Sequence, residues 1–213
     1  NASKVANGLI SYMLKDNPEI GVTTSTVNPL VLECNDGSIS QTQNRVLDES
    51  NVLEAIKNAS DDFLEGAIGA GTGMRCNGFK SGIGSSSRVI KIKDKEYVIG
   101  VLVNSNYGAS NGSELIFNGR RLGGLIKDYN LAHEEDKGSI IVVVATNAPL
   151  DNRQLKRLAK RTELGVARTG SYGGHGSGDV MVAFSTANKV LQSPSYMEDT
   201  VVRFSGAYLN RFF

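Results

Sequence analysis

The chain has 213 residues, of which 40% are hydrophobic and 21% are charged, and its formal net charge is +1. These proportions are typical of a globular domain with an apolar core. The even charge balance argues against binding to nucleic acid or to an anionic membrane surface.

The sequence also gives no sign of membrane insertion or of metal binding. No apolar run approaches the roughly 20 residues that a membrane-spanning helix needs, and residues 1–9 lack the pattern of a signal peptide. We therefore expect a soluble protein, cytoplasmic or periplasmic. Cys34 and Cys76 are the only cysteines. They lack the paired spacing of a zinc site, so we predict free thiols with no metal and no cofactor.

Hydrophobic spacing predicts two helices early in the chain, over residues 4–15 and 50–64. Ser50 precedes the second apolar stripe and is a candidate N-cap. Between the two helices, residues 26–34 form the apolar run TVNPLVLEC, which predicts a buried strand.

Two hairpins are predicted next. Residues 86–93 and 97–104 are rich in β-branched side chains and are separated by a short polar turn, which predicts a long hairpin. A shorter hairpin is expected over 113–122. It should turn at Asn118-Gly119, a dipeptide that is preferred in tight turns.

The last third of the chain alternates strands with one helix. Residues 140–146, IIVVVAT, lack polar alternation and predict a central strand that is buried on both faces. A helix is expected over 151–164, with its basic residues between 156 and 161 facing solvent. Another buried strand is predicted over 179–186, and a weakly amphipathic tail covers 196–213.

This order of elements predicts a mixed α/β (α+β) fold. Hairpins combined with strands that are buried on both faces favour a four-layer α-β-β-α sandwich over a Rossmann arrangement. We find no internal repeat and no linker, so residues 1–213 are interpreted as a single domain.

A glycine-rich stretch over 66–88 resembles a phosphate loop at first sight, because Gly69, Gly71 and Gly73 alternate. The nucleotide-binding patterns do not fit it. A dinucleotide site needs a glycine turn that opens onto a helix, and a P-loop needs glycine directly before its lysine. The glycines therefore predict only that the backbone bends sharply there or passes close to a ligand.

The dipeptide Gly138-Ser139 joins a charged segment, residues 127–138, to the most apolar strand. This arrangement suits backbone cleavage by an N-to-O acyl shift, in which the serine hydroxyl attacks the glycine carbonyl. Cleavage would leave Ser139 with a free amine whose pKa lies near neutrality, available as a base beside its own hydroxyl. The alternative is that a serine at a strand start is a structural residue.

A second glycine-rich run, residues 170–178, leads into the last predicted strand. Ser177 and Asp179 are two residues apart and should point to the same side, where they could form a proton relay or bind an ammonium group. The alternative is a polar turn at the surface. His175 could instead be the base of a Ser-His-Asp triad, although no nucleophile elbow accompanies it.

A third polar group ends the second strand of the long hairpin, at Asn104, Asn106 and Tyr107. An amide at a strand end can donate to a developing oxyanion. An ordinary turn residue is the structural alternative.

Taken together, these segments resemble one enzyme family, the self-processing N-terminal-serine hydrolases that include L-aminopeptidase/D-esterase and β-peptidyl aminopeptidases. The similarity spans nearly the whole chain. It is carried by NPLVLECNDG, EGAIGAGTGM, FKSGIGSSSR, YVIGVLVNSNYG, GSIIVVVATNAPLDNRQLKRLAKR and GSGDVMVAFST.

The resemblance implies the α-β-β-α fold that is shared with ornithine acetyltransferase. It implies self-cleavage between Gly138 and Ser139 into an α part, 1–138, and a β part, 139–213, which stay associated. Members of the family are longer, and relative to them we expect this chain to lack an N-terminal region and the final C-terminal helix. The resemblance also implies a homo-oligomer, a tetramer of processed halves.

The resemblance further assigns catalytic roles. Ser139 corresponds to the nucleophile, Ser177 and Asp179 to a relay, and Asn106 to the amide that stabilises the oxyanion. The implied reaction removes the N-terminal residue of a short peptide, amide or ester through an acyl-enzyme and uses no metal.

The chain departs from the family around residues 33–45. Relatives commonly carry an aromatic residue there, where this chain has Asn35 and Ser38. This loop is therefore expected to set the substrate preference.

Two other functions are considered. Ornithine acetyltransferases of the same fold transfer acyl groups but use threonine as the nucleophile, so Ser139 argues against that activity. A catalytically degenerate or uncut homologue would instead act as a binding or structural protein.

Overall fold

The computed structural model describes residues 1–126, 138–190, 197–198 and 200–213. The charged segment before Gly138 and the start of the predicted tail lie largely outside these ranges. The helices are α1 Ala2–Asp16, α2 Glu49–Lys57 and α3 Asn152–Ala167, with 3₁₀ helices at Thr42–Asn44, Gly69–Gly71, Gly123–Leu125 and Gly206–Phe212. The strands are β1 Arg75–Cys76, β2 Phe79–Lys80, β3 Ile83–Ile92, β4 Lys95–Asn106, β5 Ile116–Phe117, β6 Arg120–Arg121, β7 Ser139–Thr146 and β8 Val180–Ser185.

A four-stranded sheet in the order β3-β4-β7-β8 organises the described residues. The pairs β3-β4 and β4-β7 are antiparallel, and β8 runs parallel to β7 after the crossover through α3. Six of the eight β7 residues are buried, which confirms the predicted central strand. The prediction that β8 is buried on both faces is wrong. It is an edge strand, and Val180 and Phe184 are 37% and 46% exposed.

Both predicted hairpins are confirmed. In the long hairpin, β3 and β4 pair over ten positions, and the turn between them contains Lys93 with a positive φ of 54°. The short hairpin β5-β6 turns at Asn118 and Gly119, which have φ values of 48° and 75°. Two successive positive φ angles are what an Asn-Gly turn of the type I′ class requires.

The N-terminal predictions are confirmed in part. Helix α1 matches the predicted helix, whereas α2 ends at Lys57 and is shorter than predicted. Its N-cap is Asp48 rather than Ser50. The Asp48 carboxylate accepts from the Ser50 hydroxyl at 2.6 Å and from the backbone N–H groups of Asn51 and Ser50, and these bonds, the hydroxyl's first, lower the pKa of Asp48 below its ordinary value.

The predicted strand over 26–34 is wrong, since this segment has no regular structure. Its side chains Leu32 and Cys34 pack against Ile141 and Val143 on one face of the sheet. The segment therefore crosses the face of the sheet and does not lie along an edge, where its backbone would find a pairing partner.

The opposite face of the sheet holds the larger core. Ile140, Val142 and Val144 point from β7 to this side and pack with Leu158 of α3. The basic residues Lys156, Arg157 and Lys160 of α3 are exposed, as predicted, whereas Arg161 is half-buried. Arg161 lies 3.5 Å from the centroid of the Phe213 ring, a cation–π contact that covers the ring.

One buried amide connects α3 to the C-terminal segment. Gln154 is fully buried. Its Oε1 accepts from the Asp151 N–H at 3.1 Å and completes a capping box with the Asp151 carboxylate. Its Nε2 donates to the Phe204 carbonyl at 2.6 Å. Around it, Phe204 packs against Tyr97 with ring centroids 5.1 Å apart.

We expect Gln154→Leu to lower the free energy of unfolding by roughly 2–4 kcal/mol, because it leaves a buried carbonyl and a helix N-terminal N–H unpaired. Urea denaturation checks this. Arg153→Leu, a change at an exposed position one residue earlier, is the matched control and should change stability by less than about 0.5 kcal/mol. Equal effects of the two substitutions would contradict the structural role of the amide.

Candidate active site

The β4-β7 ladder brings two of the predicted site residues together. Ser139, the first residue of β7, pairs with Asn106, the last residue of β4. Ser139 is 8% exposed, and its buried Oγ has no hydrogen-bond partner among the described residues. A buried hydroxyl without a partner costs free energy, so this position is unusual for a residue with only a structural role.

Gly138 is held tightly against the end of β4. A Cβ atom at this position would lie 1.9 Å from the Asn106 carbonyl oxygen and 2.4 Å from the Tyr107 Cα. Only glycine fits there. Self-cleavage would require the Gly138 carbonyl to adopt a strained geometry, which glycine permits. The structure gives a second reason for glycine, because the backbone of Gly138 lies against the backbone of Asn106 and Tyr107.

The Asn106 side chain is fixed at both ends. Its Oδ1 accepts from the Arg75 backbone N–H at 3.0 Å, and its Nδ2 donates to the Asn35 carbonyl at 3.0 Å. A carboxamide nitrogen carries two hydrogens. One of them binds the Asn35 carbonyl, and Asn106 itself lies opposite Ser139 in the β4-β7 ladder.

Ser177 and Asp179 form the predicted pair. The Ser177 Oγ donates to the Asp179 Oδ1 at 2.6 Å. Val180 pairs with Ile141 in the parallel β7-β8 ladder. Continuing that register backwards by two residues places the Ser177–Asp179 segment beside Ser139.

Cys34 is a neighbour of the nucleophile that the sequence analysis did not place in the site. Its Sγ lies 3.7 Å from the Ser139 carbonyl and 3.6 Å from the Asn104 carbonyl, and it is a weak donor to both. Burial raises the pKa of the Cys34 thiol above its ordinary value. The negative charge of Asp179 adds to this rise.

Cys34 was not predicted from the sequence to lie beside Ser139, whose carbonyl its thiol contacts. No sequence signal distinguishes Cys34 from an ordinary buried thiol, because its place in the site depends on where a segment without regular structure crosses the sheet.

The glycine-rich loop approaches its own backbone. Cβ atoms at Gly71 and Gly82 would lie 2.4 Å and 1.8 Å from the Gly66 carbonyl oxygen. The Lys80 ammonium donates to the carbonyls of Gly71, Met74 and Ser81, which binds the loop together. The glycines thus allow three backbone segments to cross at one point beneath the site.

A cavity of about 800 Å³ opens beside Gly138. Asn35 and Ser38, the two residues that stand where the family carries an aromatic, line it. Among the described lining residues the single charged one is Arg75. These residues are Asn35, Gly37, Ser38, Arg75, Asn77, Gly78, Asn106, Gly108, Ser110 and Gly138.

His175, the alternative base, is exposed in the turn before Ser177. Within the described ranges it makes no hydrogen bond to Ser139. The structure therefore gives no support to a Ser-His-Asp triad around His175.

With this geometry in view, the comparisons with known proteins become informative. The chain matches the peptidase family S58 over residues 1–213. The protein belongs to this family. The resemblance that the sequence motifs indicate is thereby confirmed.

Individual relatives agree with this assignment. The chain is 42% identical to the β-peptidyl aminopeptidase BapA of Sphingosinicella microcystinivorans over 180 residues, which are 78% of this chain and 45% of the relative. The chain thus spans about half the length of the curated relatives that it matches.

Solved structures confirm the predicted fold class. The PH0078 protein from Pyrococcus horikoshii OT3 has a TM-score of 0.88 and 44% identity, covering 99% of this chain and 57% of its own. The L-aminopeptidase D-Ala-esterase/amidase from Ochrobactrum anthropi, described as a variant of the Ntn hydrolase fold, has a TM-score of 0.86 and 34% identity, covering 98% and 57%. Of the predicted sandwich, the described residues form one four-stranded sheet.

Two further observations concern only the described ranges. No group of three His, Cys, Asp or Glu side chains lies close enough together there to hold a metal ion. None of the helices in those ranges has the length and apolar character needed to cross a membrane.

We expect the Cys34 thiol to be alkylated slowly by iodoacetamide at pH 8 in the folded protein, because burial and the Asp179 charge favour its protonated form. Mass spectrometry of the labelled peptides, with and without urea, checks this. Cys76, which is less buried, is the internal control. Labelling of Cys34 in the folded protein as fast as in urea would contradict the structure.

The same thiol has a consequence for stability. Its folded pKa lies above its ordinary value of 9.0, so its stabilising contribution is present below that pH and is lost as the pH rises through the folded pKa. The stability difference between the wild type and Cys34→Ala should therefore shrink between pH 8 and strongly alkaline pH. A constant difference in urea midpoint would contradict this expectation.

Proposed function

We propose that the protein is a self-processing serine aminopeptidase with Ser139 as its nucleophile. One observation carries the proposal. The β4-β7 ladder holds a buried serine hydroxyl, without a described partner, beside the Asn106 amide and directly after a glycine that tolerates no side chain. Membership of the peptidase family S58 supports it.

The proposed processing step is intramolecular. The Ser139 Oγ attacks the Gly138 carbonyl carbon. The peptide bond between that carbon and the Ser139 nitrogen breaks, and an ester then joins the two residues. Water then hydrolyses the ester, leaving a carboxylate on Gly138 and a free amine on Ser139. That amine, with an ordinary pKa of about 7.7–8.0, is partly neutral at physiological pH and can accept the proton of the hydroxyl.

Peptide hydrolysis uses the same atoms again. Ser139 attacks the first carbonyl of a bound substrate, and the Asn106 amide, opposite Ser139 in the ladder, donates to the developing oxyanion in this proposal. The leaving amine departs with a proton, and water releases the N-terminal residue from the acyl-enzyme. The hydrogen-bonded pair of Ser177 and Asp179 supplies a relay and a negative charge for the substrate ammonium.

The architecture supports association of the two fragments after cleavage. Strands β3 and β4 come from residues before the proposed cut and β7 and β8 from residues after it, yet all four belong to one sheet. The β4-β7 ladder spans eight residue pairs. We propose a division at 1–138 and 139–213, and a homo-oligomer of such processed pairs stays a prediction.

The names of relatives suggest the substrate class. One relative is called a β-peptidyl aminopeptidase and another an L-aminopeptidase D-Ala-esterase/amidase. We propose that this protein acts on the N-terminal residue of short peptides, amides or esters. Loop residues Asn35 and Ser38 line the cavity and would set the preference among them.

A second function, binding by an uncut homologue, has one observation in its favour. In the continuous chain the Ser139 Oγ is enclosed and cannot reach a separate substrate. Whether the chain is cut after Gly138 therefore distinguishes an aminopeptidase from a binding protein.

We expect purified wild-type protein to give two masses under denaturing conditions, the C-terminal fragment beginning at Ser139. Ser139→Ala should remain one chain, because the attacking hydroxyl is gone. Intact mass spectrometry measures this. A single mass for the wild type would favour the binding function, and two fragments from Ser139→Ala would overturn the mechanism.

We expect Asp179→Asn to lower kcat/KM for an aminoacyl p-nitroanilide by about 100-fold or more, since the relay and the charge facing the substrate amine are both lost. Thermal unfolding should stay nearly unchanged. Asp94→Asn, in the exposed β3-β4 turn, is the matched control and should keep full activity. Wild-type turnover in Asp179→Asn would remove this carboxylate from the site.

A further inference from the structure

Arg75 occupies a position that the catalytic proposal leaves without a function. It is the first residue of β1, and its backbone N–H donates to the Asn106 Oδ1 at 3.0 Å. Arg75 is therefore hydrogen-bonded to the side-chain amide of Asn106, which is proposed to stabilise the oxyanion. Its backbone cannot shift without moving that amide.

Arg75 lines the cavity beside Gly138 and carries the only formal charge among the described residues that line it. The guanidinium forms no ion pair within the described ranges, although four ion pairs between other groups are found there. A cation at a cavity, with no anion among the described lining residues, is suited to bind an anion from a ligand.

The sheet places the two charges of the site on opposite sides of the nucleophile. Asp179 precedes β8, which flanks β7 on one side, while Arg75 contacts β4, which flanks β7 on the other. A short peptide with both termini free carries the matching charges, an ammonium at one end and a carboxylate at the other.

Dimensions favour a dipeptide. A residue spans about 3.3–3.6 Å of extended chain. In a dipeptide the terminal carboxylate therefore lies one residue beyond the carbonyl that Ser139 would attack. An arginine side chain that starts beside Asn106 is longer than one residue of extended chain, so it suits a carboxylate at that separation. Its planar group binds a carboxylate through two parallel hydrogen bonds.

We propose that Arg75 is a specificity-determining residue that binds the C-terminal carboxylate of dipeptide substrates. This inference rests on the proposed aminopeptidase function and deepens it, because it names the substrate class. The enzyme then prefers a dipeptide with a free carboxylate over the corresponding dipeptide amide.

The test compares one dipeptide with its C-terminal amide on wild type, Arg75→Met and Arg75→Lys. For the acid, Arg75→Met should lower kcat/KM roughly 10- to 100-fold, the usual size of a charge-assisted pair. For the amide it should change kcat/KM less than about twofold. Arg75→Lys keeps the charge but loses the planar group and should fall between the two. Arg153→Met, an exposed change of equal charge on α3, should affect neither substrate.

A binding measurement separates this inference from the proposed function. Calorimetry with the purified wild-type and Arg75→Met proteins, using a dipeptide analogue whose scissile carbonyl is replaced by CH₂, reports the affinity for its acid and amide forms without turnover. Hydrolysis that does not depend on Arg75 overturns the inference but agrees with the proposed aminopeptidase function. Acid-selective binding that Arg75→Met abolishes supports the inference even if the wild type hydrolyses neither the dipeptide nor its amide. Failure of both binding and hydrolysis overturns both.

Discussion

The antiparallel pairing of β4 with β7 is the constraint on which the site depends. Eight consecutive pairs, ending at Asn106 and Ser139, fix which side chain stands beside which. A slip of one residue would turn every side chain of β7 to the other face of the sheet. Ile140, Val142 and Val144 are buried against α3, and Ile141 and Val143 against the N-terminal segment. Burial on both faces therefore fixes the register, and the register places the serine.

Around that strand end, three segments meet through backbone contacts. The Asn106 carboxamide joins the carbonyl of Asn35 to the N–H of Arg75. The Asn77 N–H donates to the Tyr107 carbonyl at 2.8 Å. Because these bonds use main-chain atoms, substitutions in the loop around Asn35 can change the cavity while the amide stays in position.

The sequence predicted those parts of the structure that depend on neighbouring residues. The two hairpins, the central strand and the helices α1 and α3 follow local periodicity and turn chemistry. The pair of Ser177 and Asp179 follows from spacing together with a family resemblance. The prediction of a strand over 26–34 was wrong because the apolar residues of this segment pack against a face of the sheet. An apolar run that covers a sheet and one that pairs as a strand look the same in the sequence. Cys34 and Arg75 were missed for a related reason, since only the fold brings Cys34 to Ser139 and Arg75 to Asn106.

The central position of β7 also bears on how the protein would respond to denaturation. An uncut chain refolds as one molecule. After a cut before Ser139, the strands of the sheet would belong to two polypeptides, and recovery from unfolding would require the fragments to meet, at a rate that depends on their concentration. The lifetime of the processed form would then be governed by how slowly it opens and less by its equilibrium stability. The buried ladder would in that case act as a kinetic barrier that preserves a structure unable to rebuild itself readily.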